Sequence, residues 1–254
     1  MRTLLTAVTL LVLTPILGGA VLLATLFRVP DREGGIYDWA PRIWARGLLW
    51  VAGVRVEVVP PERLRHAGPR IYVANHTSWF DVLALASVLP RYKFVAKAEL
   101  LRIPLFGQAV RAAGMIGIER ENRKAAFESY RLAARKIREG ASVVVYPEGT
   151  RGESYSLRPF KKGPFVLAIA AGVPIMPTIM HGPIEVLRRG SWWVRAGTIR
   201  VHLLDEIDAS GLAYDDRDDL SRRVHSRMSA AMRELYGVPD APPSAPPRVE
   251  ARAS

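Results

Sequence analysis

The segment from Thr3 to Phe27 contains no charged side chain, and this feature constrains the chain more than any other. At about 1.5 Å of rise per helical residue, a helix of this length is long enough to cross the hydrocarbon core of a bilayer. A cleaved signal peptide is the alternative, but its apolar core would be shorter, and Arg2 would not be the only charge before it. The segment therefore predicts an uncleaved membrane helix.

The charges that flank this segment predict its orientation. One arginine precedes the segment, and four follow it: Arg28, Arg32, Arg42 and Arg46. Because arginine-rich flanks stay on the cytoplasmic side, we expect the rest of the chain to face the cytoplasm from the inner (plasma) membrane. A second apolar segment, from Pro41 to Ala52, predicts either a helix in the headgroup layer or a helix packed on the following domain.

Apolar runs alternate with helical stretches along the rest of the chain, which predicts an α/β fold with a central mixed sheet flanked by helices. The strands are predicted at residues 54–59, 71–74, 94–96, 115–118, 142–146, 175–180 and 199–204. The clearest helices are predicted at residues 122–140, 164–171 and about 215–236. Pro174 and Pro177 argue against a central, fully paired position for the sixth strand. We expect membrane-anchoring helices over residues 1–53, a single catalytic domain over 54–236 and a disordered tail over 237–254.

The composition limits the chemistry that this domain can use. The chain has no cysteine, which excludes a thiolate nucleophile, a disulfide scaffold and a cysteine-based metal site. Its formal net charge of +12 indicates anionic partners. The basic residues are scattered rather than arranged in a stripe with aromatic residues, so nucleic acid is not the expected partner. Histidine, carboxylates, hydroxyls and cations remain as the reactive groups.

His76 and Asp81 are the strongest candidates for catalysis, because they lie at a turn from a buried strand to an apolar helix. Ser78 and Asp81 fit a capping box, which places Asp81 in the first helical turn. From there its carboxylate can reach back to His76, fix the tautomer of the imidazole and leave the second ring nitrogen free to take a proton. The alternative is that Asp81 only caps the helix and that His76 is structural.

Two further stretches place cations after strands. Arg120 ends a short strand beside a helix N-terminus, where it can bind a phosphate, although a surface pair with Glu119 or Glu121 is the alternative. Residues 143–151 form a buried strand that breaks at a proline into a loop. Backbone amides near Gly149, together with Arg151, predict an anion nest there, and an ordinary turn is the alternative.

In this order and at this spacing, the motifs resemble the glycerolipid acyltransferase family that includes the bacterial 1-acyl-glycerol-3-phosphate acyltransferases. The resemblance covers about residues 54–204, and it includes a fourth motif over residues 173–177 and a lysine-containing segment over residues 95–100. The sequence departs from the family pattern at Tyr146, where phenylalanine is usual, and at Gly152, where serine is usual.

This resemblance implies direct acyl transfer to 1-acyl-glycerol 3-phosphate, which gives phosphatidic acid in phospholipid biosynthesis. His76 would deprotonate the acceptor hydroxyl, Asp81 would orient His76, and acyl-CoA or acyl-carrier protein would be the donor, with no metal or bound cofactor. The implied substrate-binding residues are Arg120, Glu148, Gly149, Thr150 and Arg151, with Lys97 as a further candidate for the phosphate or the oxyanion. Glycerol 3-phosphate, another lysophospholipid or a lyso-aminolipid are alternative acceptors, and a non-catalytic lipid-binding protein is the alternative class.

Overall fold

The computed structural model describes residues 1–65, 68–118 and 123–240, with the backbone alone for residues 123–127. Within these residues, the strands are β1 (Val54–Val59), β2 (Ile71–Ala74), β3 (Tyr92–Lys97), β4 (Ile116–Ile118), β5 (Ser142–Val145), β6 (Ile175–His181) and β7 (Gly197–Leu203). The α-helices are α1 (Arg2–Leu26), α2 (Ile36–Ala52), α3 (Trp79–Val88), α4 (Phe106–Ala112), α5 (Arg123–Arg138), α6 (Gly163–Ala171), α7 (Pro183–Val186) and α8 (Arg217–Tyr236). All seven predicted strands are present, with bounds within two residues of those predicted.

The seven strands form one mixed sheet in the order β1-β7-β6-β2-β5-β3-β4. Neighbouring strands are parallel, except that β6 and β7 are antiparallel. One face is covered by α2 and α3, and the other face is covered by α5, α6 and α8. The predicted α/β architecture is therefore confirmed. Because β2, β3 and β5 are parallel neighbours, their carboxyl ends meet at one edge of the sheet.

The position of β6 differs from the prediction, because β6 pairs with β2 on one side and with β7 on the other. Pro174 precedes the strand, and its carbonyl accepts a hydrogen bond from the Ile71 amide. Pro177 precedes Thr178, where the register with β7 begins, and its carbonyl accepts the amide of Leu204 at 2.9 Å. The missing N–H thus lies between the ladder with β7 and the isolated bridge of Ile175 and Ile207, where the pairing is interrupted, which explains how a central strand accommodates proline.

Helix α2 packs on the domain, which decides between the two alternatives for this segment. Leu48 and Leu49 are buried in the core beside α3. Arg42 donates a hydrogen bond to the carbonyl of Leu89, and Arg46 donates one to the carbonyl of Ser87. These arginines stabilise the last carbonyl groups of α3, which have no partner inside the helix. Both arginines therefore fix α2 to the end of α3.

Helix α1 lies along the domain from its first turn to its last. The Thr3 hydroxyl accepts the amide of Val194 at 3.0 Å, and the indole of Trp44 donates to the Thr14 hydroxyl at 3.0 Å. At the other end, the hydroxyls of Thr25 and Tyr37 are 3.3 Å apart. The outward side chains remain exposed, including those of Leu4, Leu5, Val8, Leu11, Ile16 and Leu23. Among the described residues, α1 is the one helix long and apolar enough to cross a membrane.

Buried charges fix the connector between α1 and α2 to the amino end of β3. Lys93 is fully buried, donates to the carbonyl of Ala113 at 2.9 Å and lies 3.3 Å from Asp31 Oδ2. Asp38 Oδ1 lies 3.8 Å from the same ammonium group. Burial lowers the pKa of Lys93, and the two carboxylates raise it. Removing either carboxylate would leave a buried charge poorly compensated, so this cluster holds the connector in place.

The chain after α8 begins differently from the predicted disordered tail. Val238 donates its amide to the carbonyl of Met232, and the carbonyl of Pro239 accepts the hydroxyl of Ser156 at 2.9 Å. Residues 237–240 are therefore bound to the domain, which the Pro- and Ala-rich composition did not indicate. Residues 241–254, the rest of the predicted tail, lie outside the described residues.

Candidate active site

The candidate site lies at the edge where the carboxyl ends of β2, β3 and β5 meet. The loop after β2 carries His76, and the loop after β5 carries residues 146–152. Lys97 ends β3 at the same edge and is exposed. Ligand sites of open α/β sheets lie beyond the carboxyl ends of the strands, and the predicted motifs converge at such a place.

His76 and Asp81 form the hydrogen bond that the sequence predicts, with Nδ1 and Oδ2 2.8 Å apart. Asp81 is fully buried, and the same oxygen accepts the backbone amides of Thr77 at 2.5 Å and Ser78 at 2.8 Å. The capping box is present, with Ser78 as the N-cap of α3. The helix start thus fixes the carboxylate, and the carboxylate fixes the imidazole. Among the described residues, no hydrogen-bond partner occupies Nε2 of His76.

The ring of Tyr146 packs against the imidazole of His76. Its ring stacks on the imidazole of His76 with centroids 4.1 Å apart and planes at 19°. Its hydroxyl is buried and has no hydrogen-bond partner among the described residues. Burial and the charge of Asp81 raise the pKa of Tyr146, so the phenol stays neutral. The departure from the family's phenylalanine therefore preserves the stack.

Glu148 is occupied by protein donors on both carboxylate oxygens. Oε1 accepts the backbone amide of His76 at 2.9 Å, and Oε2 accepts the amide and Nε of Arg158 at 3.3 and 3.2 Å. Burial raises the pKa of Glu148, whereas the His76 amide and Arg158 lower it. A carboxylate in this position repels a phosphate. The geometry therefore favours a positioning role over the expected contact with the substrate.

The loop after β5 holds the backbone of His76 from both sides. Glu148 accepts the amide of His76, and the amide of Gly152 donates to the carbonyl of His76 at 2.7 Å. Gly149 has a φ of 80° and donates its amide to the carbonyl of Tyr146, which closes a turn. Thr150 is exposed, and its carbonyl accepts a hydrogen bond from Arg158. The structure thus places Gly149 and Thr150 beside His76, with the Gly149 amide engaged in the turn.

Arg151 is the cation that the structure brings to the catalytic pair. Its guanidinium lies over the ring of Trp79, 5.0 Å from the centroid, at the first turn of α3. Burial and the neighbouring Arg189 lower the pKa of Arg151, and the charge of Asp81 raises it. Arg120, the second predicted phosphate ligand, lies outside the described residues.

Two residues that support the site were missed by the sequence analysis. Arg158 binds Glu148, and Arg189 donates to the carbonyl of Arg151 at 2.9 Å. Both are arginines in loops rich in other cations, so no local pattern singles them out. Their function depends on which carbonyl or carboxylate the fold places beside them.

These features define a site in which a buried carboxylate orients an imidazole that can deprotonate a hydroxyl beside a cationic side chain. The comparison with protein families agrees with this chemistry. The family described as Acyltransferase matches residues 55–181, which is half of the chain and contains the His76 and Arg151 motifs. The chain therefore belongs to the acyltransferase family.

Individual relatives narrow the assignment. A protein of Haemophilus influenzae named 1-acyl-sn-glycerol-3-phosphate acyltransferase is 33% identical over 82% of this chain and 85% of its own length. The human protein named 1-acyl-sn-glycerol-3-phosphate acyltransferase beta is 34% identical over 77% of this chain and 71% of its own. The crystal structure of the 1-acyl-sn-glycerophosphate (LPA) acyltransferase PlsC from Thermotoga maritima matches with a TM-score of 0.75. That match covers 95% of this chain and all of the other at 23% identity, and it shows a shared fold.

Proposed function

We propose that this acyltransferase moves a fatty acyl group from a thioester donor to the free hydroxyl of 1-acyl-glycerol 3-phosphate and so produces phosphatidic acid. The observation that carries the proposal is the hydrogen bond of 2.8 Å between His76 and the buried Asp81. The names of the relatives from Haemophilus influenzae and human support this acceptor. Glycerol 3-phosphate and other lysophospholipids remain the alternatives.

The proposed reaction proceeds in a single displacement at the thioester carbonyl. Nε2 of His76 takes the proton of the acceptor hydroxyl, whose oxygen attacks the carbonyl carbon, while Asp81 stabilises the imidazolium. The tetrahedral intermediate collapses, the carbon–sulfur bond breaks, and the imidazolium returns the proton to the leaving thiolate. Ser78 does not serve as a nucleophile in this scheme, because its hydroxyl donates to the carbonyl of Leu187 at 2.7 Å and caps α3.

We propose acyl-CoA or acyl-carrier protein as the donor, because both are anionic and the chain carries a formal net charge of +12.

The purified chain in mixed micelles is assayed with each donor against 1-acyl-glycerol 3-phosphate, glycerol 3-phosphate and a lysophospholipid with a larger headgroup. We expect phosphatidic acid from the first acceptor at the highest kcat/KM. A preference for another acceptor would refute the assignment, and lasting inactivity with every pair would favour a lipid-binding protein.

Replacing Arg151 with alanine is expected to lower kcat/KM for 1-acyl-glycerol 3-phosphate. The loss should correspond to about 1.5 to 3 kcal/mol of transition-state stabilisation, the scale of a hydrogen bond to a charged group. Lysine at this position keeps the charge but loses the planar fork, so the KM of the acceptor should rise and that of the donor should change little. The measurement compares this acceptor with a monoacylglycerol, which has no phosphate.

The control for Arg151 is Arg55→Ala, which removes an exposed arginine of β1 and should leave kcat/KM unchanged for both acceptors. If Arg120 shares the phosphate, the loss in an Arg120→Ala, Arg151→Ala double variant should be less than additive. Equal losses on both acceptors in Arg151→Ala would show that Arg151 serves the fold or the donor.

Replacing Glu148 with alanine is expected to lower kcat on the order of tenfold to a hundredfold on both acceptors alike, because the loss displaces the His76 backbone and not the phosphate. The same pair of acceptors gives the measurement. Glu153→Ala is the matched control, since this carboxylate of the same loop is 85% exposed. A loss confined to the acceptor that carries a phosphate would restore Glu148 as a substrate contact.

We propose that residues 1–53 attach the chain to the inner membrane with the catalytic domain, residues 54–236, facing the cytoplasm. Thr3 binds Val194 of the domain and Thr14 binds Trp44 of α2, so α1 is flanked by protein along its length and its exposed apolar face meets lipid from the side. A helix held in this way lies along the membrane surface. Since the chain has no cysteine, Arg2→Cys tests this position. Labelling by an impermeant maleimide from outside intact cells would show a spanning helix instead.

A further inference from the structure

Two adjacent tryptophans in the loop between α7 and β7 project into solvent. Trp192 is 86% exposed and Trp193 is 74% exposed, which is unusual for side chains that gain the most from leaving water. The loop is ordered on its inner side, where Val194 donates to Thr3 and Arg195 donates its amide to the carbonyl of Val186. The backbone that carries the two indoles is therefore held by hydrogen bonds to the rest of the protein.

The loop is also strongly cationic. Arg188, Arg189 and Arg195 flank the two tryptophans and are exposed, and residues 187–204 contain no acidic side chain. Indoles at the depth of the headgroups and arginines beside anionic lipids are the combination that membrane interfaces favour. The charge and the aromatic pair fit an anionic phospholipid surface.

This loop is continuous with the apolar face of α1 and with the end of α2. The first turn of α1 carries Thr3, which binds Val194, and the exposed Leu4 and Leu5 follow. Trp50, near the end of α2, is 81% exposed. The loop thus extends the lipid-facing surface proposed for α1.

The same loop is hydrogen-bonded to both parts of the active site. Ser78, the N-cap of the helix that holds Asp81, donates to the carbonyl of Leu187 at 2.7 Å. Arg189 donates to the carbonyl of Arg151 at 2.9 Å. Wherever the tryptophans enter a bilayer, the candidate catalytic pair and its cation are held close to that surface.

We propose that residues 188–195 form a membrane-inserting loop, in which Trp192 and Trp193 enter the interface of an anionic bilayer and the flanking arginines bind its headgroups. The loop would hold the active site against the surface from which a lipid acceptor enters. This second step rests on the proposed function, because it requires an acceptor dissolved in the membrane. The first step, insertion of the loop, does not.

The test uses the full chain with both tryptophans replaced, Trp192→Ala and Trp193→Ala, and phospholipid vesicles with or without phosphatidylglycerol. Co-sedimentation should show a loss of affinity of about tenfold or more, since each indole can bury on the order of 150–250 Å². Tyr214→Ala is the matched control, because this aromatic ring is 61% exposed but precedes α8, on the face of the sheet opposite to α2, and its loss should leave vesicle binding unchanged. Trp192→Phe with Trp193→Phe should recover most of the binding.

Activity assays on two acceptors distinguish a role of the loop in membrane binding from a role in the chemical step. On 1-acyl-glycerol 3-phosphate embedded in vesicles, kcat/KM of the alanine variant should fall with the affinity. On a short-chain acceptor dissolved as monomers it should stay within about twofold, because the loop's contacts with the site in the described part of the chain are made by the Leu187 carbonyl and Arg189 and not by the tryptophans. An Arg188→Gln, Arg195→Gln variant should lose the preference for phosphatidylglycerol.

Three outcomes would overturn the proposal. Unchanged vesicle binding in the tryptophan variant would show that the loop does not insert. Equal binding of the wild-type chain to neutral and anionic vesicles would remove the role of the arginines. Equal losses on the embedded and the monomeric acceptor would show that the loop only supports the fold of the site. If no acceptor is acylated by the wild-type chain, the proposed function fails, while the binding comparison still decides whether the loop inserts.

Discussion

Alanine in place of His76 is expected to lower kcat by a factor of about 10² to 10⁴, the range over which a general base accelerates a reaction. The ring accounts for the loss because its Nδ1 is bound to Asp81 and its Nε2 has no hydrogen-bond partner among the described residues. Folding should change little, since Oδ2 of Asp81 keeps the amides of Thr77 and Ser78. Single-turnover acyl transfer measures the chemical step, and circular dichroism measures the fold.

The matched control for His76 is His225→Ala, which removes a half-buried histidine of α8 that stacks edge-on against Phe160. Helix α8 covers the face of the sheet opposite to α3, so this variant should retain the wild-type rate. A His76→Ala variant that transfers acyl groups at a near-normal rate would refute the mechanism.

Asparagine in place of Asp81 is expected to lower kcat by a similar factor of about 10² to 10⁴, because its amide group favours the wrong tautomer of His76. Alanine should in addition lower the free energy of unfolding by about 2 to 6 kcal/mol. It leaves the buried amides of Thr77 and Ser78 without their acceptor, at about 1 to 3 kcal/mol for each unsatisfied group. Denaturant unfolding measures the loss of stability, and single-turnover assays measure the loss of rate.

Ser78→Ala provides the comparison for Asp81, because it removes the other half of the same capping box and leaves the carboxylate in place. Ser78→Ala should lower the free energy of unfolding by about 1 kcal/mol, and it should lower kcat much less than the Asp81 variants do. If Asp81→Asn keeps a normal rate, the carboxylate does not control the tautomer. If Asp81→Ala unfolds at the wild-type denaturant concentration, the buried amides have found other partners.

Local signals explain why so much of the fold was predictable. The buried strands are short apolar runs bounded by proline, glycine or polar residues, and β2 and β5 are buried along their whole lengths. The hydrogen bond between His76 and Asp81 was predictable because the two residues are five positions apart and the capping box fixes one of them. Both predictions need only the nearest neighbours in the sequence.

Features that depend on residues distant in the sequence could not be predicted. The sequence predicts Glu148 near the phosphate, but it could not show that Glu148 accepts the amide of His76, 72 positions away. Proline in β6 argues against a central, fully paired strand, whereas β6 lies inside the sheet and its pairing with the chain of β7 is interrupted at Pro177. The sequence of α1 likewise could not show that its Thr3 is bound to Val194, 191 positions later.

The contact between Thr3 and Val194 also affects the order of events during synthesis. Helix α1 emerges from the ribosome before the catalytic domain, yet its contact with Val194 forms only after Val194 has been made, and β1 likewise waits for β7. At about 5–20 residues per second, the delay is roughly 10 to 40 seconds. Throughout this time the apolar face of α1 has no domain to cover its inner side. A nascent chain of this kind therefore needs a lipid surface or a chaperone before it has an active site.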